Sequence, residues 1–356
     1  MRVHNFGAGP CTLPLPVLEE AQRELLDFAG TGMSVMEISH RSPEYQAVHE
    51  EAIALARKVS GAPDDFEVLL VQGGATLQFA MVPLNLLGKG DQAGYVVAGA
   101  WGSKALGDAA HHGKVYAAWD GAGSNYIRMP TPGEIDVRPG SRYLHVTTNE
   151  TMGGIRMVDW PGTDVPLVAD VSSEYFARPL PWDRFDVVYG GVQKNLAPSG
   201  MAVVFVRRTA LAQRDLASYL RYDVHAAHRS LYNTPPMFSV YLMGMVLRML
   251  DDLGGAAGLE RISAGKADLL YGAIDESGGY YRSPVDEACR SRMNVVFRLP
   301  TEDAETRFLR GAREQGMVGL EGHRSVGGCR ASLYAALPYQ SVEALVEYMG
   351  AFSKGC

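Results

Sequence analysis

Lys194 is the residue in this sequence best placed for chemistry. It sits in DVVYGGVQKNLAPSG, residues 186–200, where an apolar run ends among Gly190, Gly191, Gln193 and Asn195. A lysine at the end of a buried strand is partly desolvated, which lowers its pKa and frees the amine to attack an aldehyde. Upstream, PLVADVSS, residues 166–173, is an apolar strand that ends on Asp170. A connection and a second strand fit between Asp170 and Lys194, so both side chains can emerge at one sheet edge, where open α/β folds bind ligands. An amine and a carboxylate so placed suit pyridoxal-phosphate chemistry: the carboxylate keeps the pyridine nitrogen protonated, and the ring accepts electrons from a substrate carbanion. Gly73-Gly74-Ala75-Thr76 is a strand-to-helix turn whose N–H groups and helix dipole suit a phosphate. No Gly-Lys-Ser/Thr follows, so it is not a nucleotide P-loop. Trp101, just beyond another strand, can stack on an aromatic cofactor. Taken singly, each has a plainer reading: a solvated turn lysine, a helix-capping aspartate, a tight connection, a core tryptophan.

These residues need a sheet whose strand ends converge. Apolar runs at 66–71, 94–98, 143–147, 166–169, 185–189 and 201–206 are separated by Gly, Pro and helix-length segments, the pattern of a mostly parallel sheet covered on both faces. Ser42-Pro43 caps a helix through YQAVHEEAIALARKV, with Tyr45, Val48, Ala52 and Leu55 at helical spacing. In LQFAMVPLNLL, Pro83 should kink or shorten a second helix. A long helical region is expected at 237–271, then MNVVFRL and CRASLYA as strands around a helix, and a final amphipathic helix from Ser341. The fold class expected is α/β: a large domain, 15–255, and a smaller α+β C-terminal domain, 256–356.

Composition narrows the function. With 33 Lys+Arg against 40 Asp+Glu, the formal charge of −7 has the wrong sign for holding nucleic acid by counterion release. The longest apolar helical stretch, SVYLMGMVLRML, contains Arg248 and falls short of the roughly 20 residues a bilayer span needs. MRVHNFGAGPCTLPLP has no apolar signal-peptide core, so no membrane is expected. Cys11, Cys289, Cys329 and Cys356 are scattered, without CxxC or metal-ligand spacing, which fits a reducing cytoplasm and no metal. YVVAGAWGSKALG, residues 95–107, imitates a dinucleotide fingerprint, but its glycines are not spaced GxGxxG and Trp101 would crowd a pyrophosphate turn.

The segments NFGAGPCTLP, ISHRS, HVTTNET, QKNLAPSG, SLYNTPP and GHRSVGGCRAS, in that order from residue 5 to about 335, resemble the class V pyridoxal-phosphate aminotransferases. Within that group they are most similar to the branch that moves an amino group from glutamate to 3-phosphohydroxypyruvate, and in some members acts on 4-phosphohydroxythreonine. The resemblance implies the fold-type I architecture, with residues 1–14 packing near the active site. It implies that Lys194 binds the pyridoxal 5'-phosphate aldehyde and later acts as the base, that Asp170 pairs with the pyridine nitrogen, and that Trp101 stacks on the ring. Ala75 and Thr76 would hold the phosphate, while Thr151 and Gln193 hydrogen-bond the cofactor. Asn233 and Thr234 would reach it from the neighbouring subunit of a homodimer. His40-Arg41 and His323-Arg324 would surround the substrate's phosphate or side-chain carboxylate, and Arg330 would grip its α-carboxylate by a bidentate pair. Glu174 stands where the family has Asn, and GGV precedes Gln193 where Ala-containing variants are commoner, so contacts beside the ring are open. Two other class V chemistries remain as alternatives: transamination of an unphosphorylated keto acid such as glyoxylate, and desulfuration, which would need a nucleophilic cysteine on a mobile loop where this chain has Cys329 in an apparent strand.

Overall fold

The apolar runs form a seven-stranded sheet in the computed structural model, which describes residues 2–324 and 326–355. Ser325, after the second His-Arg pair, and Cys356 lie outside the described residues. In chain order the elements begin with β1 (His4–Asn5), α1 (Leu15–Glu24) and α2 (Pro43–Ser60). β2 (Phe66–Gln72), α3 (Gly74–Leu86), β3 (Gln92–Val97), α4 (Ala100–Ala109), β4 (Lys114–Asp120) and β5 (Ser141–Thr147) follow. A short hairpin, β6 (Asn149–Glu150) and β7 (Ile155–Arg156), precedes β8 (Leu167–Asp170), β9 (Phe185–Gly191), β10 (Met201–Arg207) and α5 (Tyr222–Ala227). The remainder is α6 (Met237–Asp252), α7 (Gly255–Asp275), β11 (Asn294–Phe297), α8 (Glu302–Glu314), β12 (Met317–Val318), β13 (Cys329–Ser332) and α9 (Tyr339–Lys354).

The sheet order is β2-β10-β9-β8-β5-β3-β4. All neighbours run parallel except β10, which is antiparallel to both β2 and β9. Alternate side chains of each strand serve opposite faces. Leu70, Val203 and Phe205 pack under α2 and α6, while Leu69, Val71, Val204 and Tyr95 pack under α3 and α4. Helix α2 starts as its sequence dictates: Pro43 is its first residue, Ser42 Oγ accepts the Tyr45 amide at 3.4 Å, and Gly61 ends it in the left-handed region.

A second core, from Phe6, Phe297, Phe308 and Leu345 among others, is built by α7, α8, α9, β11 and β13. Helix α7 gives Leu259 to the sheet's core and Leu270 and Ile274 to the second one. Two expectations need correction. The helical region at 237–271 is two helices, because Gly254 and Gly255, at φ +89° and +64°, break it. The edge strand β4, half exposed and lacking a continuous apolar run, escaped the sequence reading.

Candidate active site

The site forms at the C-terminal edge of the parallel strands. β2 runs into Gly73 and Gly74, at φ +95° and +63°, and then into α3. A Cβ on Gly73 would meet Leu77 at 2.8 Å, so only glycine allows the turn. The first turn of α3 has no side-chain cap, which leaves its amides directed at the cleft mouth. β3 leads through Gly99 to Trp101 on α4, β8 ends on Asp170, and β9 leads to Gln193 and Lys194. Ala75, Thr76, Trp101, Asp170, Gln193 and Lys194 line one cleft of about 290 Å³. Thr151, just after β6, accepts a hydrogen bond from Lys194 Nζ at 2.8 Å, and the amine stands 5.5 Å from the Trp101 ring centre.

Charge is concentrated here. Burial pushes the Lys194 amine down to about 8, against the pull of Asp170 and Glu150 and with the push of Arg330. Burial also raises the Asp170 carboxyl, but the Ser172 hydroxyl and amide, donating to Oδ1 at 2.6 and 2.9 Å, and the Lys194 charge pull it back. Arg330 on β13 donates to the Thr151 carbonyl at 3.4 Å, and burial lowers its pKa. The N-terminal segment covers the lysine's backbone: the Cys11 amide and thiol donate to the Gln193 and Lys194 carbonyls.

Not every expected residue reaches the cleft within one chain. Asn233 and Thr234 lie beside the end of β2, where Gln72 Nε2 donates to the Thr234 carbonyl at 3.1 Å, and Thr234 Oγ1 stands 3.5 Å from His40 Nδ1. His40, exposed Arg41, Asn233 and Thr234 thus form one group that does not line the cleft. Half-buried His323 and exposed Arg324 precede β13 and do not line it either. Glu174 turns away from the cleft onto Arg156 and Arg178, at 2.8 and 3.0 Å, so its departure from the family pattern does not touch the cofactor side. Cys329 is fully buried in β13, with its thiol pushed well above the ordinary value, unlike a nucleophile on a mobile loop.

The sequence reading missed Glu150. Its buried carboxylate accepts the Trp101 and Gly102 amides at 3.1 and 2.8 Å, and burial pushes its pKa up to about 7. The residues present fit pyridoxal phosphate. The uncapped amides suit its phosphate, Asp170 a protonated ring nitrogen, the indole face the ring, and the desolvated amine the aldehyde. The buried Trp101 Nε1 and Thr147 Oγ1 have no protein partner among the described residues. No group of three or more His, Cys, Asp or Glu side chains among them is placed to hold a metal ion, and no helix is long and apolar enough to cross a membrane.

Asp170 at the end of β8, Lys194 just past β9 and the uncapped turn after β2 meet in one cleft, the arrangement of a fold-type I pyridoxal-phosphate site. The sequence profile of the aminotransferase class-V family matches residues 3–345, and the chain belongs to that family. It is 47% identical over 356 residues to a protein of Niallia circulans named phosphoserine aminotransferase, covering 99% of this chain and 98% of that one. The solved phosphoserine aminotransferase from Bacillus circulans subsp. alkalophilus superposes with a TM-score of 0.97 at 47% identity, covering 99% of each chain. A PLP-bound phosphoserine aminotransferase from Trichomonas vaginalis superposes at 0.93 with 32% identity, covering 98% of this chain and 100% of that one. Within the class V aminotransferases, the chain therefore stands among the phosphoserine aminotransferases.

Proposed function

We propose that this chain is a cytoplasmic, pyridoxal-phosphate-dependent phosphoserine aminotransferase, moving the amino group of glutamate onto 3-phosphohydroxypyruvate to yield O-phospho-L-serine and 2-oxoglutarate. The observation that carries the reading is the meeting of the desolvated Lys194 amine, Asp170 and Trp101 in one cleft with the Arg330 guanidinium beside it. Bound pyridoxal phosphate supplies an aldehyde that condenses with amines and a protonated ring that takes up the electrons of a broken Cα–H bond.

The chain's own residues do the rest. Asp170, held by Ser172, keeps the ring nitrogen protonated, and Trp101 offers a flat apolar face. Ala75 and Thr76 at the start of α3 hold the phosphate, with Gln193 and Thr151 as further polar contacts. Lys194, with its desolvated amine neutral, would be the base that takes the proton from the substrate's Cα. Arg330 pairs with the α-carboxylate, and the two His-Arg pairs read the substrate's second anionic end. A second copy of the chain supplies Asn233 and Thr234, and because His40 stands beside Thr234, His40 and Arg41 travel with them. The site is then completed in a homodimer, with the 256–356 unit carrying Arg330 against the 15–255 unit.

The test is a keto-acid panel with glutamate as donor, following phosphoserine and 2-oxoglutarate. The expected outcome is turnover of 3-phosphohydroxypyruvate, its loss in Lys194→Ala, and a much lower kcat/KM for glyoxylate. Equal turnover of glyoxylate, undiminished in His40→Ala and Arg41→Ala, would turn the reading to an aminotransferase of unphosphorylated keto acids.

A further inference from the structure

The Trp101 ring is held from outside its own side chain. Its indole N–H is buried without a partner among the described residues, so no hydrogen bond of its own sets the plane of the ring. The ring packs against the core under α3 and α4, so its orientation rests on that packing and on the backbone from which it hangs. That backbone is the first turn of α4, whose N-cap residue, Gly99, provides no side-chain cap. The cap comes instead from Glu150, on the hairpin after β5. One carboxylate oxygen accepts the Trp101 amide at 3.1 Å and the other the Gly102 amide at 2.8 Å. Two successive amides at a helix N-terminus, bound by one anion, are both charge-assisted and aligned with the helix dipole.

The sequence makes room for this clamp. A Cβ on Gly99 would stand 2.7 Å from Glu150 Cδ and Oε2. The next residue in the chain, Thr151, holds the Lys194 amine at 2.8 Å. Residues 150 and 151 therefore tie the indole and the reactive amine to the same short piece of backbone. The charged and titratable groups around the carboxylate are Lys194, Asp170 and Tyr126. Lys194 and the two amides favour its anion, while burial and Asp170 oppose it.

Building on the transaminase reading above, we propose that Glu150 is a positioning residue: by clamping the first turn of α4 it fixes the indole plane against which the cofactor ring stacks. Two variants test it. Glu150→Gln keeps the shape but removes one of the two acceptors. Gly99→Ala leaves Glu150 and Trp101 in the sequence and displaces the carboxylate, since the Gly99 backbone is extended and accepts any residue. The measurements are amide hydrogen exchange at residues 101 and 102 in the apoenzyme, the Kd for added pyridoxal phosphate, and the visible circular dichroism of the bound cofactor. In both variants the two amides should exchange about tenfold faster or more, and the Kd should rise about tenfold, as expected for unpairing a buried charge-assisted bond. The visible dichroism should shrink, a change that lowered stability alone does not produce. Should Glu150→Gln fail to fold, Gly99→Ala decides. Wild-type cofactor uptake with exchange, Kd and dichroism unchanged in the variants overturns the role. A wild-type protein that takes up no pyridoxal phosphate overturns the transaminase reading and this role with it.

Discussion

Water exclusion is what lowers the pKa of the Lys194 amine. Only the neutral amine attacks a carbonyl, and with its pKa brought down to about 8 the neutral fraction at pH 7 is roughly 300-fold larger than for a lysine at 10.5. Cofactor uptake by the apoenzyme should therefore speed up with pH through about 8 and then level off, measured by stopped-flow absorbance. A rate still climbing steeply at pH 9.5 would show an amine that is not desolvated. The sequence disclosed Lys194 and Asp170 because an apolar strand ending on a charged residue is visible as a pattern. Trp101 was legible as an aromatic just past such a strand. Glu150 was not, because its partners are the backbone amides of residues 101 and 102, and a backbone donor leaves no mark in a sequence. The grouping of His40 with Thr234 was equally hidden, since two distant loops meet there only through the fold.

Among the elements, strands buried on both faces were the most legible, and β8 and β9 lie within a residue or two of their expected limits. Edge strand β4 and the Gly254-Gly255 break were not, since partial exposure dilutes the apolar pattern and a glycine pair reads equally well as a helix interior or a stop. The turn after β8 shows what an unusual residue can do without touching the chemistry. Glu174 is buried between Arg156 and Arg178, and Arg156 also reaches Glu260 on α7 at 3.5 Å, so the cluster links the sheet's edge to the helix that spans both cores. Burial lowers the Arg178 pKa while Glu174 holds it up. Removing the carboxylate leaves two buried guanidiniums facing each other, at a cost of about 3–5 kcal/mol when a buried pair is broken. The surviving Glu260 contact places Glu174→Gln near the lower figure. Chemical denaturation should show that loss while the Kd for pyridoxal phosphate stays at the wild-type value. A change in cofactor affinity without a loss of stability would mean that Glu174 acts on the ring after all.

At the scale of the molecule, a chain with a net charge of −7 sets two cations, Lys194 and Arg330, side by side at its cleft. Arg330 is beside Lys194, but Arg41 stands exposed with His40, Asn233 and Thr234 outside the cleft. Met36 and Tyr232, close in sequence to His40 and Asn233, are exposed apolar side chains, at 53% and 44%, of the kind a second copy would cover. In a two-fold dimer each chain would then lend these residues to its neighbour's cleft. Mixing inactive Lys194→Ala and Arg41→Ala proteins under conditions that let subunits exchange distinguishes the arrangements. If Arg41 serves the partner's site, half the dimers are hybrids, and one of the two sites in each hybrid has both residues intact. Phosphoserine formation should then recover to about a quarter of the wild-type rate. If Arg41 serves its own chain's site, every site in the mixture lacks one of the two residues, and no activity returns.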